Sequence, residues 1–211
     1  VINYPNNPTT KVVDLAFYKE LVKICERNSI WILSDLAYSE IYFNKKPPPS
    51  ILQIKNAKKI AVEFSSMSKS YNMPGWRIGF ASGNNVLLAA LARIKSYLDY
   101  GAFTPIQVAA TAALNGSQDH VENIRNVYEK RRDVLIESMK RCGWEIPVPQ
   151  ATMFAWAPIP KKYKKKGSIH FSKVLLKKAS LAVSPGIGFG LYGDKHVRIS
   201  LVENEQRIRQ A

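Results

Sequence analysis

The sequence predicts an α/β fold, with a parallel sheet covered by helices and a smaller α+β domain after it. Three observations predict this. Over residues 1–81, short apolar runs bounded by turn residues are separated by one amphipathic, helix-length segment, the pattern of a parallel sheet. Residues 86–141 then read as helical throughout. Beyond Trp144 the texture changes again, with short strands around a single helix.

Each element has its own signal. Residues 1–4 are apolar enough for a buried strand, ended by Pro5-Asn6-Asn7-Pro8. Asp14 is placed to cap a helix through Arg27, with Leu15, Tyr18, Leu21, Val22 and Cys25 on one face. Residues 29–34 (Ser-Ile-Trp-Ile-Leu-Ser) suit a central strand, 45–49 a loop, and 60–64 and 76–81 further strands. Helices are expected at 86–97 and 105–114, and a long one at 119–141, stopped by Gly143. Strands at 153–157, 181–184 and 197–201 surround a helix at 169–178. The expected organisation is a large domain over 1–118, a connecting helix over 119–143 and a small, truncated domain over 144–211. The chain opens on a strand without an initiator Met and stops two turns into a helix, so both ends look cut.

Composition narrows the function classes. With 211 residues, 46% hydrophobic and 22% charged, the chain reads as globular. No apolar stretch is long enough to span a bilayer and there is no signal peptide, so the expectation is a cytoplasmic protein without a membrane partner. Cys25 and Cys142 have no CxxC spacing and no histidine pair nearby, so we expect no metal and read both as buried thiols. The net charge is +15, densest over residues 161–166, where Tyr163 alone interrupts the lysines. Without a nucleic-acid module this run reads as a solvated loop, and no nucleic-acid partner is expected.

The chemistry collects at one edge. Ligands of such sheets bind beyond the carboxyl ends of the strands. Past the first strand comes Asn7; past the second, Asp35 and Tyr38; past the third, Ser65, Ser66, Ser68 and Lys69. Singly, an Asp after a strand is usually a cap and a Lys in a serine-rich turn is usually solvated. Together they deliver an amide, a carboxylate, a phenol, hydroxyls and an amine to one edge, which reads as a site. Gly188-Phe-Gly190-Leu-Tyr-Gly193 matches GxGxxG, but a strand rather than a helix follows it, so it reads as a flexible turn leading to Arg198. His120, His170 and His196 lack partners at ligand or triad spacing and are given no role.

Residues 3–9 (Asn-Tyr-Pro-Asn-Asn-Pro-Thr), 34–38 (Ser-Asp-Leu-Ala-Tyr) and 66–79 (Ser-Met-Ser-Lys-Ser-Tyr-Asn-Met-Pro-Gly-Trp-Arg-Ile-Gly) resemble the fold-type I, class I/II aminotransferases, in the family's order. The stretch from Val183-Ser-Pro-Gly to Val197-Arg-Ile-Ser-Leu extends the resemblance to the whole chain. It is most similar to the bacterial alanine (glutamate–pyruvate) type, near the LL-diaminopimelate aminotransferases. The resemblance implies the C-terminal half of such an enzyme: part of a large domain with a mixed, mostly parallel sheet, plus the small C-terminal domain. It also implies pyridoxal 5'-phosphate as cofactor, held as a Schiff base by Lys69, whose freed amine then moves a proton. Asp35 would pair with the ring nitrogen, and Asn7 and Tyr38 would hydrogen-bond the ring oxygen. Ser66, Ser68 and Arg77, the last on the returning strand, would hold the phosphate. Arg198, with Asn7, would grip the substrate's α-carboxylate. The implied partners are an amino acid, a 2-oxo acid and a second copy, with residues 100–105 near that copy's site.

Two departures matter. Thr10 stands where the family usually has Gly, at a position that shapes a turn. The front half, which in the family supplies most of the phosphate site and the ring stacked on the cofactor, is not in these residues. The expectation is that these residues alone bind cofactor weakly and do not turn over. Residues 99–104 contain no arginine, which argues against the animal aspartate type. Two alternatives remain: another pyridoxal-phosphate enzyme of the same fold, such as an aspartate or LL-diaminopimelate aminotransferase or a β-lyase, and a non-catalytic remnant or basic binding protein.

Overall fold

The structure, a computed structural model, describes residues 1–211. The chain forms two compact units, Val1–Pro5 with Val12–Arg125, and Asn6–Lys11 with Asn126–Ala211.

The first unit is built on a four-stranded sheet: β1 (Ile2–Asn3), β2 (Ile32–Asp35), β3 (Ala61–Ser66) and β4 (Gly79–Gly83), in that spatial order. β1, β2 and β3 run parallel and β4 antiparallel to β3. The α/β expectation holds, with one reversed strand. Helix α1 (Leu15–Arg27) starts where Asp14 accepts the Phe17 N–H at 2.8 Å. Tyr18, Val22 and Cys25, spaced four and three residues apart, form its buried stripe against Ile32 and Ala61. Leu15, expected on that face, is 45% exposed, because it lies in the first turn before the helix reaches the core. Strand β2 alternates accordingly: Ile32 and Ser34 are buried, Leu33 and Asp35 exposed.

One acid lies inside this unit. Glu63 accepts the Ser50 hydroxyl at 2.8 Å and the Ile51 N–H at 3.1 Å, yet burial still pushes its carboxyl above the usual range. Tyr18, wholly buried, has its phenol pushed up to about 12 by burial first and by the Glu63 charge second. After β3 come α2 (Met67–Ser70), and beyond β4 helices α3 (Asn85–Leu98) and α4 (Thr104–Asn115). Helix α5 (Asp119–Arg141) has the expected bounds and passes from the first unit into the second. No helix is long and apolar enough to cross a membrane.

The second unit carries an antiparallel sheet of β5 (Phe154–Pro158), β6 (Ser184–Pro185) and β7 (His196–Ser200), with β7 in the middle. Helices α6 (Gly167–Ala179) and α7 (Glu205–Gln210) complete it. Ala155, Ala157, Val197 and Ile199 share a core with Leu135 and Met139 of α5, Phe171 of α6 and Ile208 of α7. Period-two alternation therefore turns Trp156, His196 and Arg198 to the other face. The strand expected at 181–184 shrinks to Ser184–Pro185. Pro185 has no N–H to extend the ladder, which confines it to an edge. Cys142, expected buried, is exposed, because it follows the last residue of α5 in the turn at Gly143; Cys25 is buried.

Candidate active site

In the first unit the topology gathers functional groups at one edge. Parallel strands end on the same side, and an antiparallel strand begins where its neighbour ends. Pairings Asn3 with Asp35, Asp35 with Phe64, and Ser66 with Gly79 fix that edge. Asp35 is exposed at the end of β2. Its carbonyl accepts from the Asn3 amide at 3.1 Å, and its carboxylate accepts the Ala37 N–H at 3.0 Å. No ion pair occupies that carboxylate within the chain. Tyr38 follows in a turn and is 93% buried (7% exposed).

Strand β3 runs directly into α2, capped where Ser66 Oγ accepts the Ser68 N–H at 3.2 Å. Lys69 stands on this single turn, half-buried, its Nζ 6.0 Å from the centre of the Tyr38 ring. No carboxylate of the chain forms a salt bridge with this amine, so it remains uncommitted. Arg77 does not lie on the returning strand, as expected from the sequence. It follows the tight turn Pro74–Trp76 in a left-handed conformation (φ 50°, ψ 50°), before β4 begins at Gly79. Its Nη1 donates to the Pro74 carbonyl at 3.0 Å. Pro74 and Gly75 reverse the chain too sharply for the strand to start sooner. The Met67 N–H donates to the Ile78 carbonyl at 3.2 Å, so Arg77 and the serines still share one edge.

The second unit brings together Asn7 and Arg198, 191 residues apart. Asn7 belongs to the segment Asn6–Lys11, which is part of this unit and not of the one holding Asp35 and Tyr38. Arg198 Nη1 donates to Asn7 Oδ1 at 2.7 Å, and Nη2 to Ser184 Oγ at 3.4 Å. These two acceptors are a neutral amide and a neutral hydroxyl, and they orient the guanidinium. Its central carbon lies 4.2 Å from the Phe154 ring centre and 4.7 Å from that of Phe189.

A sequence profile of the family described as aminotransferase class I and II matches residues 1–211. The chain belongs to the class I and II aminotransferases. Over its whole length it is 59% identical to a putative aminotransferase AatC of Rhizobium meliloti and covers 52% of that protein. It is 51% identical to the glutamate-pyruvate aminotransferase AlaC of Escherichia coli, again over the whole chain and 51% of that protein. Among solved structures, apo-BacF from Bacillus subtilis superimposes with a TM-score of 0.94 at 37% identity, over 99% of this chain and 53% of that one. The chain thus spans about half the length of the relatives it matches.

Within this aminotransferase chain, Thr10 adopts φ 61°, the left-handed region that glycine enters freely and a β-branched residue only under strain. Its N–H donates to the Asn6 carbonyl at 2.8 Å, so the turn forces the conformation, at a cost of about 1–3 kcal/mol.

Sequence reasoning missed Phe154, Phe189 and Ser184 around Arg198. The pairing of Trp156 with Arg198 places Phe154 near it, and that register is not written in either strand alone. Sequence reasoning also gave His196 no role, and it stacks on Trp156 (5.1 Å, 9°). Burial first, then the Lys164 charge, holds its imidazole below the usual histidine range. The fold therefore favours the neutral ring. This stabilisation is complete above about pH 6.5 and is lost as pH falls through the lowered value. Denaturant unfolding at pH 8 and pH 5 should show wild type losing stability relative to His196→Phe on acidification. A difference that does not change with pH would contradict this.

Proposed function

We propose that the protein is a pyridoxal-phosphate-dependent aminotransferase of the alanine/glutamate type, moving an amino group between an amino acid and a 2-oxo acid. The observation that carries this reading is the uncommitted Lys69 amine at the sheet edge that also holds Asp35, Ser66, Ser68 and Arg77. The relative named glutamate-pyruvate aminotransferase, 51% identical, supports the alanine/glutamate assignment.

The residues fit the cofactor by their chemistry. The Asp35 carboxylate suits a protonated ring nitrogen, the Tyr38 phenol a ring oxygen, and Ser66, Ser68 and Arg77 a phosphate. When bound, pyridoxal phosphate supplies an electron-poor ring that draws off the electron pair left as a Cα–H bond breaks. Lys69 Nζ takes that proton and returns it. Arg198 receives the substrate's α-carboxylate through its planar fork, and Asn7 aligns it. We further propose a cytoplasmic homodimer that needs the portion its relatives have and these residues do not span.

The test is a half-reaction. The protein expressed in full and loaded with pyridoxal phosphate should release one pyruvate per site from L-alanine, then form L-glutamate from 2-oxoglutarate. LL-diaminopimelate reacting in preference to alanine would move the assignment to the type of another relative, 44% identical. Release of no keto acid from any amino acid would refute the reading.

A further inference from the structure

Phe189 has no part in the chemistry above, yet it lies against the side chain expected to bind substrate. We propose that Phe189 is a positioning residue for Arg198, held by a clasp between Ser168 and Asp194, so that this clasp sets carboxylate affinity from a distance. The proposal rests on the reading of Arg198 as the carboxylate-binding arginine.

Two aromatic faces meet the guanidinium, and they differ in how they are fixed. Phe154 is buried and belongs to β5, so the sheet itself places it. Phe189 is 41% exposed and ends the tight turn Gly186–Phe189, outside any strand. Something else must hold it 4.7 Å from the Arg198 central carbon.

Part of the answer is the ring's other neighbours. Phe189 meets Trp156 edge to face at 5.9 Å and 83°, and Trp156 in turn stacks on His196. The rest is the backbone. The Ile187 N–H, two residues before Phe189, donates to Ser168 Oγ at 3.1 Å. The Ser168 hydroxyl donates to Asp194 Oδ1 at 2.8 Å, and the Ser168 N–H donates to the same oxygen at 3.0 Å. Ser168 is wholly buried. Its two hydrogen bonds hold the Asp194 carboxyl below the usual range, which keeps it charged as an acceptor. Gly186 and Gly193 pack backbone to backbone so closely that a Cβ on either would collide with the other. The turn is therefore not the flexible one its glycines suggest. It is tied at one side to the first turn of α6 and at the other to the loop before β7.

The consequence is preorganisation. A long arginine side chain loses rotamer freedom when it grips a carboxylate, and a guanidinium already held on aromatic faces loses less at that moment. Loss of Phe189 should thus weaken carboxylate binding while leaving proton transfer alone.

The experiment uses the protein expressed in full with pyridoxal phosphate. Phe189→Leu should raise KM for L-alanine and 2-oxoglutarate about 10-fold, as expected for a lost cation–π face. The change in kcat should stay within about threefold, since the interaction is shared by ground and transition states. Phe189→Tyr should restore KM, and Ser168→Ala should raise it. The Arg198 Nε–H resonance, assigned through Arg198→Lys, should carry a ring-current displacement that collapses in Phe189→Leu, whether or not the enzyme turns over. An unchanged KM, a fall in kcat alone, or an Arg198 resonance that does not move would overturn the proposal. A wild-type protein without turnover would instead refute the proposed function, and the resonance would still decide the role of Phe189.

Discussion

Lys69→Ala should lower turnover about 10,000-fold, the upper end of what a positioned proton-transfer group contributes. The reason lies in the local fold. Strand β3 passes into a single helical turn capped by Ser66, and that turn presents the Lys69 amine, without a carboxylate partner, towards the Tyr38 ring. Lys69→Arg should fail as badly, although it keeps length and charge, because a guanidinium does not give up its proton near neutral pH. Single-turnover absorbance with L-alanine checks both variants. An arginine variant with more than about one-hundredth of wild-type turnover would show that proton transfer runs through another group.

The second large effect is expected at Arg198. Each charge-assisted hydrogen bond to a carboxylate contributes about 1.5–3 kcal/mol, so losing a bidentate pair in Arg198→Ala should lower kcat/KM by about 100- to 10,000-fold. Arg198→Lys should recover only part of this, because an ammonium cannot reproduce the fork. The loss should fall on the substrate and not on the cofactor. Arg198 is carried by β7, with Asn7 and Ser184 as its hydrogen-bond partners, whereas Asp35, Lys69 and Arg77 belong to the other unit. Titration of each variant with pyridoxal phosphate should therefore separate the two: near wild type for Arg198→Ala, strongly weakened for Lys69→Ala. Equal weakening in both would contradict the division of labour.

Much of this was legible in the sequence, for physical reasons. Tyr18, Val22 and Cys25 show helical spacing and Asp14 precedes them as a cap, so α1 could be read residue by residue. Helix α5 carries charge along its length and stops before glycine, and its bounds were legible too. Asp35, Ser66, Ser68 and Lys69 could be found from the strands, because each lies at or just past a strand's carboxyl end.

What stayed hidden depends on backbone geometry or on partners far away in sequence. A left-handed arginine leaves no compositional mark, so Arg77 was read as part of the strand that begins at Gly79. Thr10 was legible only as a departure from glycine, and its φ of 61° explains the preference. The segment Asn6–Lys11 reads as a turn after β1, and its packing with residues from Asn126 onward could not be seen locally. The rings around Arg198 required the pairing of β5 with β7.

The most direct test of the central claim is to trap the cofactor on its amine. The protein expressed in full would be mixed with pyridoxal phosphate, reduced with borohydride, digested and mapped by mass spectrometry. With 21 lysines in these residues alone, a non-specific reaction would spread widely. The account predicts a single dominant phosphopyridoxyl group on Lys69, absent from the Lys69→Arg variant. Labelling spread over surface lysines such as Lys161–Lys166, or unchanged by that substitution, would contradict it.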